Sequence, residues 1–406
     1  MKGDFSRWTF DPRKHYTAVL MQQGRVQLDA DWNEQAAMLE HLDRTRFEDV
    51  VGSSGVPGGV GFEVHAGADG ALMLTAGRIY TGGLICELDA DAPISQVSRT
   101  PLHPAPGRTD LLYLDVWERH VTALDAPDLL EVALGGPETS TRLQVVWTID
   151  VVEGVRDGGC AEANAALPEH GLGRMTADAP DGYLGTENRL YRVEIHDAGG
   201  LGDASFKWSR HNGAVVFPVE RFLGPTSVRL GRSSVESPTI SVGDWFEISG
   251  AEVEQLGLTG TFARVAAWSE STREAVFDRD VSGRADGIRP RARAWNQTAG
   301  QAVTVEPNWI ALEDGIQVRF GGSGFRTGDY WTFPARVASA SVEWPSEAPP
   351  QGVEHRLCPL ALVTWDRSGG RCRDCRRSFA PLTEIYAELL RLRTEVAELK
   401  GRAKTT

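Results

Sequence analysis

Several things are missing from this chain, and each absence excludes a class of protein. No run of about 18 apolar residues occurs, so no helix is expected to span a membrane and any membrane contact would be indirect. Basic residues are outnumbered, 42 Lys and Arg against 56 Asp and Glu, for a formal charge of −14, and no local basic run offsets it. Nucleic acid is therefore not an expected partner, because phosphate-backbone binding needs clustered cations. Cysteine is scarce, five in 406 residues, which is too few for a disulfide framework. The chain contains no H-E-x-x-H, no G-x-S-x-G, no P-loop and no G-x-G-x-x-G after a strand, so metalloprotease, hydrolase and nucleotide-binding readings lack support. An apolar signal-peptide core is absent as well, since Arg7, Asp11, Arg13, Lys14 and His15 interrupt every hydrophobic run before Val19. The N-terminal segment is expected to be retained.

What is present suffices for a globular protein. With 41% hydrophobic and 24% charged residues the chain can bury a sizeable core, and its length suggests two or three domains. Near the N-terminus, Val26, Leu28 and Ala30 alternate with Gln27, Asp29 and Asp31, a pattern that predicts a short half-exposed strand. A helix should follow, with Asp31 as N-cap, Glu34 completing a capping box, and Gly52 ending it after Val51. Trp32, Ala36, Leu39, Phe47 and Val50 share one side of that helix, interrupted by Asp43 and Arg46. Trp32, Leu39, Phe47 and Val50 are the candidate docking residues, against another subunit or against the protein's own β body.

From Gly55 to Ala340 short runs rich in Val, Ile, Trp, Tyr and Phe alternate with Gly, Pro, Asp and Asn, the composition of a mainly β protein. Asp110–Trp117, Leu143–Val152 and Leu190–Ile195 are predicted strands, and the Gly- and Pro-rich stretch Leu167–Gly185 is a predicted domain boundary. Phe206–Phe217 reads as a hairpin turning at Asn212-Gly213. Val242–Ile248 and Thr327–Phe333 resemble one another, each a Gly-Asp turn entering an aromatic strand; duplicated β units and ordinary turn chemistry both account for this.

The last residues change character. Leu382, Ile385, Leu389, Leu392, Val396 and Leu399 are spaced 3, 4, 3, 4, 3, a heptad seam with these residues at a and d. Glu388 and Glu395 at g face Arg393 and Lys400 at e of the next heptad of a parallel neighbour. A homo-oligomer, dimer or trimer, is the expectation; the alternative is a helix packed on its own β domain.

His355-x-x-Cys358 and Cys372-x-x-Cys375, separated by thirteen residues, have the spacing of two ligand pairs for a structural zinc in a reducing cytoplasm. Four protein ligands would leave no open position for catalysis. A solvated His, a core Cys358 and a redox pair at Cys372 and Cys375 are the competing readings. Cys86 and Cys160 read as buried or incidental thiols. The acid pairs Asp29 with Asp31 and Asp89 with Asp91 are better explained as solvated turns and a helix cap than as glycosidase or calcium sites. The Trp residues in Phe206-Lys-Trp208 and Asp244-Trp245-Phe246 suit strand packing better than sugar stacking.

The segments FDPRKHYTAVLMQQGRVQLDADWNEQ, ENRLYRVEIHDAGG with FKWSRHNGAVVFPVE, and LEDGIQVRF with RTGDYWTFPAR resemble an uncharacterised-domain family encoded with bacterial phage-tail-like contractile injection systems. The resemblance implies a structural or accessory component of such a particle, at the baseplate, fibre or cage, made in the cytoplasm, with other injection-system proteins as partners. It implies no catalytic residues.

The combined expectation is a mainly β, α+β protein in five parts: a strand-helix docking segment at 1–52, β-rich domains at 53–170 and 171–345, a zinc-binding hairpin at 346–379, and a coiled-coil helix at 380–406. The expected role is non-enzymatic and structural. The alternatives are a glycan- or receptor-binding module and a carbohydrate-active enzyme.

Overall fold

The computed structural model describes residues 1–406 apart from 68–69, 157, 170, 234–238, 252, 254–257, 284–288, 298–301, 344–345, 368 and 404–406. The chain is mostly β. None of its described helices is long and apolar enough to cross a membrane. Two compact units form: one from residues 1–39, 117–146 and 168–355, the other from 40–116, 147–167 and 356–406.

In the first unit a five-stranded sheet runs in the order Val303–Thr304, Ser205–Ser209, Arg189–Ile195, Tyr330–Arg336, Ser341–Val342. Strand alternation puts Tyr191, Val193, Ile195, Phe206, Trp208, Trp331 and Phe333 on one face. There they pack with Met175, Val318 and Phe320 of a three-stranded sheet, as the core of a sandwich. The Tyr191 and Phe333 rings stack at 5.6 Å. Beside the sandwich six strands close into a barrel: Val216–Gly224, Ser227–Leu230, Glu274–Phe277, Thr261–Ser269, Trp245–Ser249 and Arg291–Trp295. Phe217, Val228, Leu230, Phe246, Ile248, Val265 and Phe277 fill it.

Three turns fulfil their local signals without the architecture expected of them. Asn212 and Gly213 both have positive φ (49° and 64°), and Ala214 N–H reaches His211 O at 2.9 Å, as a tight hairpin turn requires. Yet Ser205–Ser209 pairs with Arg189–Ile195 and Val303–Thr304, whereas Val216–Gly224 pairs within the barrel. The turn passes the chain from sandwich to barrel and no hairpin forms. Likewise the Asp244 and Asp329 carboxylates each accept the N–H three residues earlier, from Ser241 (2.8 Å) and Arg326 (3.0 Å). The following strands nonetheless belong to the barrel and to the five-stranded sheet. The two stretches share this turn chemistry.

The second unit holds a four-stranded sheet ordered Gly369–Asp374, Arg356–Asp366, Thr109–Val121, Arg142–Val152. Its central pairing joins Cys358 to Leu114 and Val363 to Asp110, residues far apart in sequence, so segments that the chain order separates share one sheet. A second sheet, Ser378–Phe379, Ser54–Pro57, Gly77–Thr81, Leu84–Leu88, includes a true two-residue hairpin at Gly82-Gly83, where φ is +55° and +73°. A Cβ on Gly83 would lie 2.8 Å from Arg44 Cα of the N-terminal helix, so glycine there serves the turn and the close helix approach together.

That helix spans Asp29–Val51, and the residues before it form no strand. Asp31 is not the N-cap: it lies inside a helix that begins earlier than predicted, and its carboxylate reaches back to accept the Leu28 N–H at 3.2 Å. Asp29 and Glu34 are taken instead by the N-terminal segment: Asp29 by Ser6 N–H and hydroxyl (2.9 and 2.6 Å), Glu34 by the Thr9 hydroxyl (2.5 Å). Gly52, at φ +97°, ends the helix as expected.

Candidate functional site

An exposed apolar strip lies on the C-terminal helix, Leu382–Ala403, where every residue from 382 to 400 is exposed. At the centre of the predicted seam Leu389, Leu392 and Val396 are 45%, 46% and 47% exposed; Leu382, Ile385 and Leu399 are more so. Tyr386 and Leu390 widen the strip on one flank. The helix does not pack on its own β domain, the alternative weighed above. Its base is anchored, because Ser378 and Phe379 pair in parallel with Val56 and Pro57, and Phe379 meets Tyr80 and Phe47 edge-on at 6.0 and 6.4 Å. Along the outer face Arg391 bridges Glu388 at 2.6 Å and Glu395 at 3.8 Å. The two g-position glutamates thus lie on one flank, with Arg393 and Lys400 at the e positions of the other.

The four candidate docking residues divide. Phe47 packs within the second unit, stacked on Tyr80 at 4.4 Å. Trp32, Leu39 and Val50 are exposed, Trp32 by 69%. The helix buries Ala30 and Met38 instead. Ahead of it Tyr16, Leu20, Met21, Val26 and Leu28 are exposed as well, on an extended segment that turns at Gln22–Arg25.

The predicted zinc ligands are not brought together. Cys375 is joined to Cys160 in a disulfide, with Cα atoms 5.2 Å apart, which corrects the reading of Cys160 as an incidental thiol. Cys358 is buried in strand Arg356–Asp366, and Cys372 lies opposite Val363 on the neighbouring strand. His355 stacks on Trp117 at 5.0 Å. Among the described residues no three His, Cys, Asp or Glu side chains form a group that could hold a metal. The spacing could not reveal this, because the partner of Cys375 comes from 215 residues upstream.

A cluster the sequence did not disclose lies in the first unit. Arg192, Glu194 and Lys207 project from the face of the five-stranded sheet opposite the sandwich core, and barrel residues Glu247 and Trp295 meet them there. Lys207 Nζ lies 2.7 Å from Glu247 and 3.4 Å from Glu194; Arg192 Nε is 2.6 Å from Glu194. The N-terminus enters this cluster. The Met1 amine donates to Tyr330 Oη at 2.6 Å, Arg192 Nη1 donates to Met1 O at 3.0 Å, and Lys2 Nζ is 2.9 Å from Glu194.

Electrostatics here are dominated by burial and cations. Burial, with Arg192 adding to it, pushes the Met1 amine well below its usual pKa, which favours its neutral form. Burial works to raise Glu247, but Lys207, Lys2 and His196 outweigh it and hold its carboxyl at about 2. Glu194 is likewise held down against its burial by Lys2, Arg192 and Lys207. Such a network, with its charges paired, anchors the N-terminal segment and ties the barrel to the sheet. In sequence these charges alternate with apolar residues, the ordinary look of a solvated strand face.

A family model described as "Family of unknown function (DUF6519)" matches residues 1–171, 161–244 and 284–370, more than half of the chain, and the chain belongs to that family. No curated protein and no solved structure matches it.

Proposed function

We propose that this family member is a non-catalytic structural component that self-associates through its C-terminal helix within a larger assembly, of the phage-tail-like contractile injection kind its sequence resembles. The observation that carries the reading is the uncovered seam of Leu382, Ile385, Leu389, Leu392, Val396 and Leu399 on a helix anchored at its base. A helix of this length is marginal alone in water, and burying each leucine against a partner contributes about 1.5–3 kcal/mol. A second copy in parallel would cover the seam and set Arg393 against Glu388 and Lys400 against Glu395. The exposed apolar side chains at Tyr16–Trp32 supply a separate surface for other components of the assembly.

The test is the mass of the full chain by light scattering across a concentration series. The wild type should form a dimer or trimer, and Leu389→Asp with Leu392→Asp should be monomeric with an unchanged β spectrum. A wild type that stays monomeric throughout would refute self-association. For the larger assembly, injection particles should be imaged with and without this protein; failure to co-purify, with no density lost, would remove that part of the reading.

A further inference from the structure

A cleft of about 420 Å³ opens in the first unit where the strands Arg189–Ile195 and Tyr330–Arg336 end beside the turn at Asn212-Gly213. Its polar lining carries three arginines, Arg189, Arg210 and Arg336, against one acid, Asp4, with His211 and Asn188 between them. Phe5, Leu190 and Ala214 give it an apolar side. In a chain of formal charge −14 such a concentration of cations stands out.

Each guanidinium is held by a glutamate that does not line the cleft. Arg189 Nη2 meets Glu187 at 2.6 Å, Arg336 Nε meets Glu343 at 3.2 Å, and Arg210 Nη2 meets Glu313. These contacts orient the forks without using all their donors, since a guanidinium has five N–H groups and a carboxylate takes two. Arg210 Nε is buried and has no acceptor among the described residues. His211 accepts from Arg189 Nη1 at 3.0 Å, and the Asn188 carboxamide oxygen is taken by Val337 N–H at 3.0 Å, which leaves that side chain only donors to offer. Side-chain N–H donors therefore predominate at the site, with the Asp4 carboxylate as its one acidic acceptor.

We propose that this cleft binds the oxyanion group, carboxylate or phosphate, of a small molecule. Arginine forks match planar or tetrahedral oxyanions bidentately, and the volume lies in the range of small-molecule sites. The net negative charge of the chain disfavours a polyanion, whereas a small ligand senses mainly the cations within a Debye length. The apolar side would receive the uncharged part of the molecule.

Calorimetric titration of the full chain with inorganic phosphate and, separately, with glucuronate tests this, with glucose as the uncharged control. Saturable binding of at least one anion is expected, none of glucose, and a loss of about tenfold or more in affinity for Arg210→Gln and for Arg336→Gln. Among the described residues the ion-pair partner of Arg336 is the half-exposed Glu343, so that variant should keep the wild-type melting temperature and separates a lost site from a lost fold. Binding of phosphate alone or glucuronate alone identifies which oxyanion the cleft takes. Absence of saturation through the millimolar range, equal binding of glucose, or undiminished binding by both variants overturns the proposal.

Discussion

Cys160 and Cys375 are joined by a disulfide although 215 residues separate them in the chain. The bond ties the short helix Cys160–Asn164 to the segment that leads into the C-terminal helix. It closes a long loop of the unfolded chain, and such bonds contribute about 2–5 kcal/mol. Cys160→Ser should lower stability by that order, and peptide mapping without reductant should recover a linked pair. Zinc and this disulfide compete for Cys375, because zinc binds a thiolate. The oxidised protein should therefore carry no stoichiometric zinc; full zinc occupancy with no linked peptide would reinstate the His355, Cys358, Cys372 and Cys375 ligand set.

Asp125 and Arg291 form a buried ion pair in the first unit, with contacts of 2.6 and 3.2 Å. Burial alone would raise the Asp125 carboxyl, but the hydrogen bonds and charge of Arg291 hold it below its ordinary value. Asp125→Asn should cost about 3–5 kcal/mol in urea unfolding, since it removes the carboxylate partner of a buried guanidinium. Adding Arg291→Met should recover part of the loss. Additive losses in the double variant would show that the two residues are not coupled.

Asp329 provides a pH signature. Its burial, only partly opposed by the Arg326 N–H, raises the carboxyl from its ordinary value of 3.8 to about 6. The folded state then holds the proton more tightly than the unfolded one, so this residue's favourable contribution is present at low pH and is lost as pH rises through about 6. Asp329→Asn keeps an acceptor for Arg326 N–H and removes the titration. Its advantage over the wild type should grow between pH 4 and pH 7 to at most about 3 kcal/mol. A stability difference that stays constant over that range would contradict the assignment.

Gly83 tests the packing of the N-terminal helix in the second unit. A Cβ there meets Arg44 Cα at 2.8 Å, and the backbone has φ +73°. Gly83→Ala should destabilise by about 1–3 kcal/mol, whereas Ala at the open position Gly107, φ +86°, bears the backbone strain alone and should cost less. Equal losses at both sites would mean the helix shifts aside at no cost.

Much of the secondary structure was legible. Thr109–Val121, Arg142–Val152 and Arg189–Ile195 occupy the places that their β-branched and aromatic runs indicated. The helix ending at Val51 and Gly52 and the turn at Asn212-Gly213 followed from capping and positive-φ chemistry. The short strand at Val26–Ala30 failed, since Asp29 and Ala30 were recruited into the helix, with Asp29 bound by Ser6. Of the candidate sites, the seam from Leu382 to Leu399 was the more legible, because a 3-4 repeat is a property of one helix. The arginine cleft was not, because Arg189, Arg210 and Arg336 meet only when two strand ends and a turn converge.

By itself, then, the sequence determined the β-rich character, the positions of turns and helix ends, and an apolar stripe on the last helix. These depend on backbone preferences and side-chain periodicity that act within a few residues. Tertiary structure decided which strands pair, that the turn after Ser209 leads into a barrel, that Cys375 bonds to Cys160, and that Glu194 and Lys207 face Glu247 rather than water. An alternating charged face is compatible with solvent or with an opposing charged surface. Only the collective burial of distant segments selects between them.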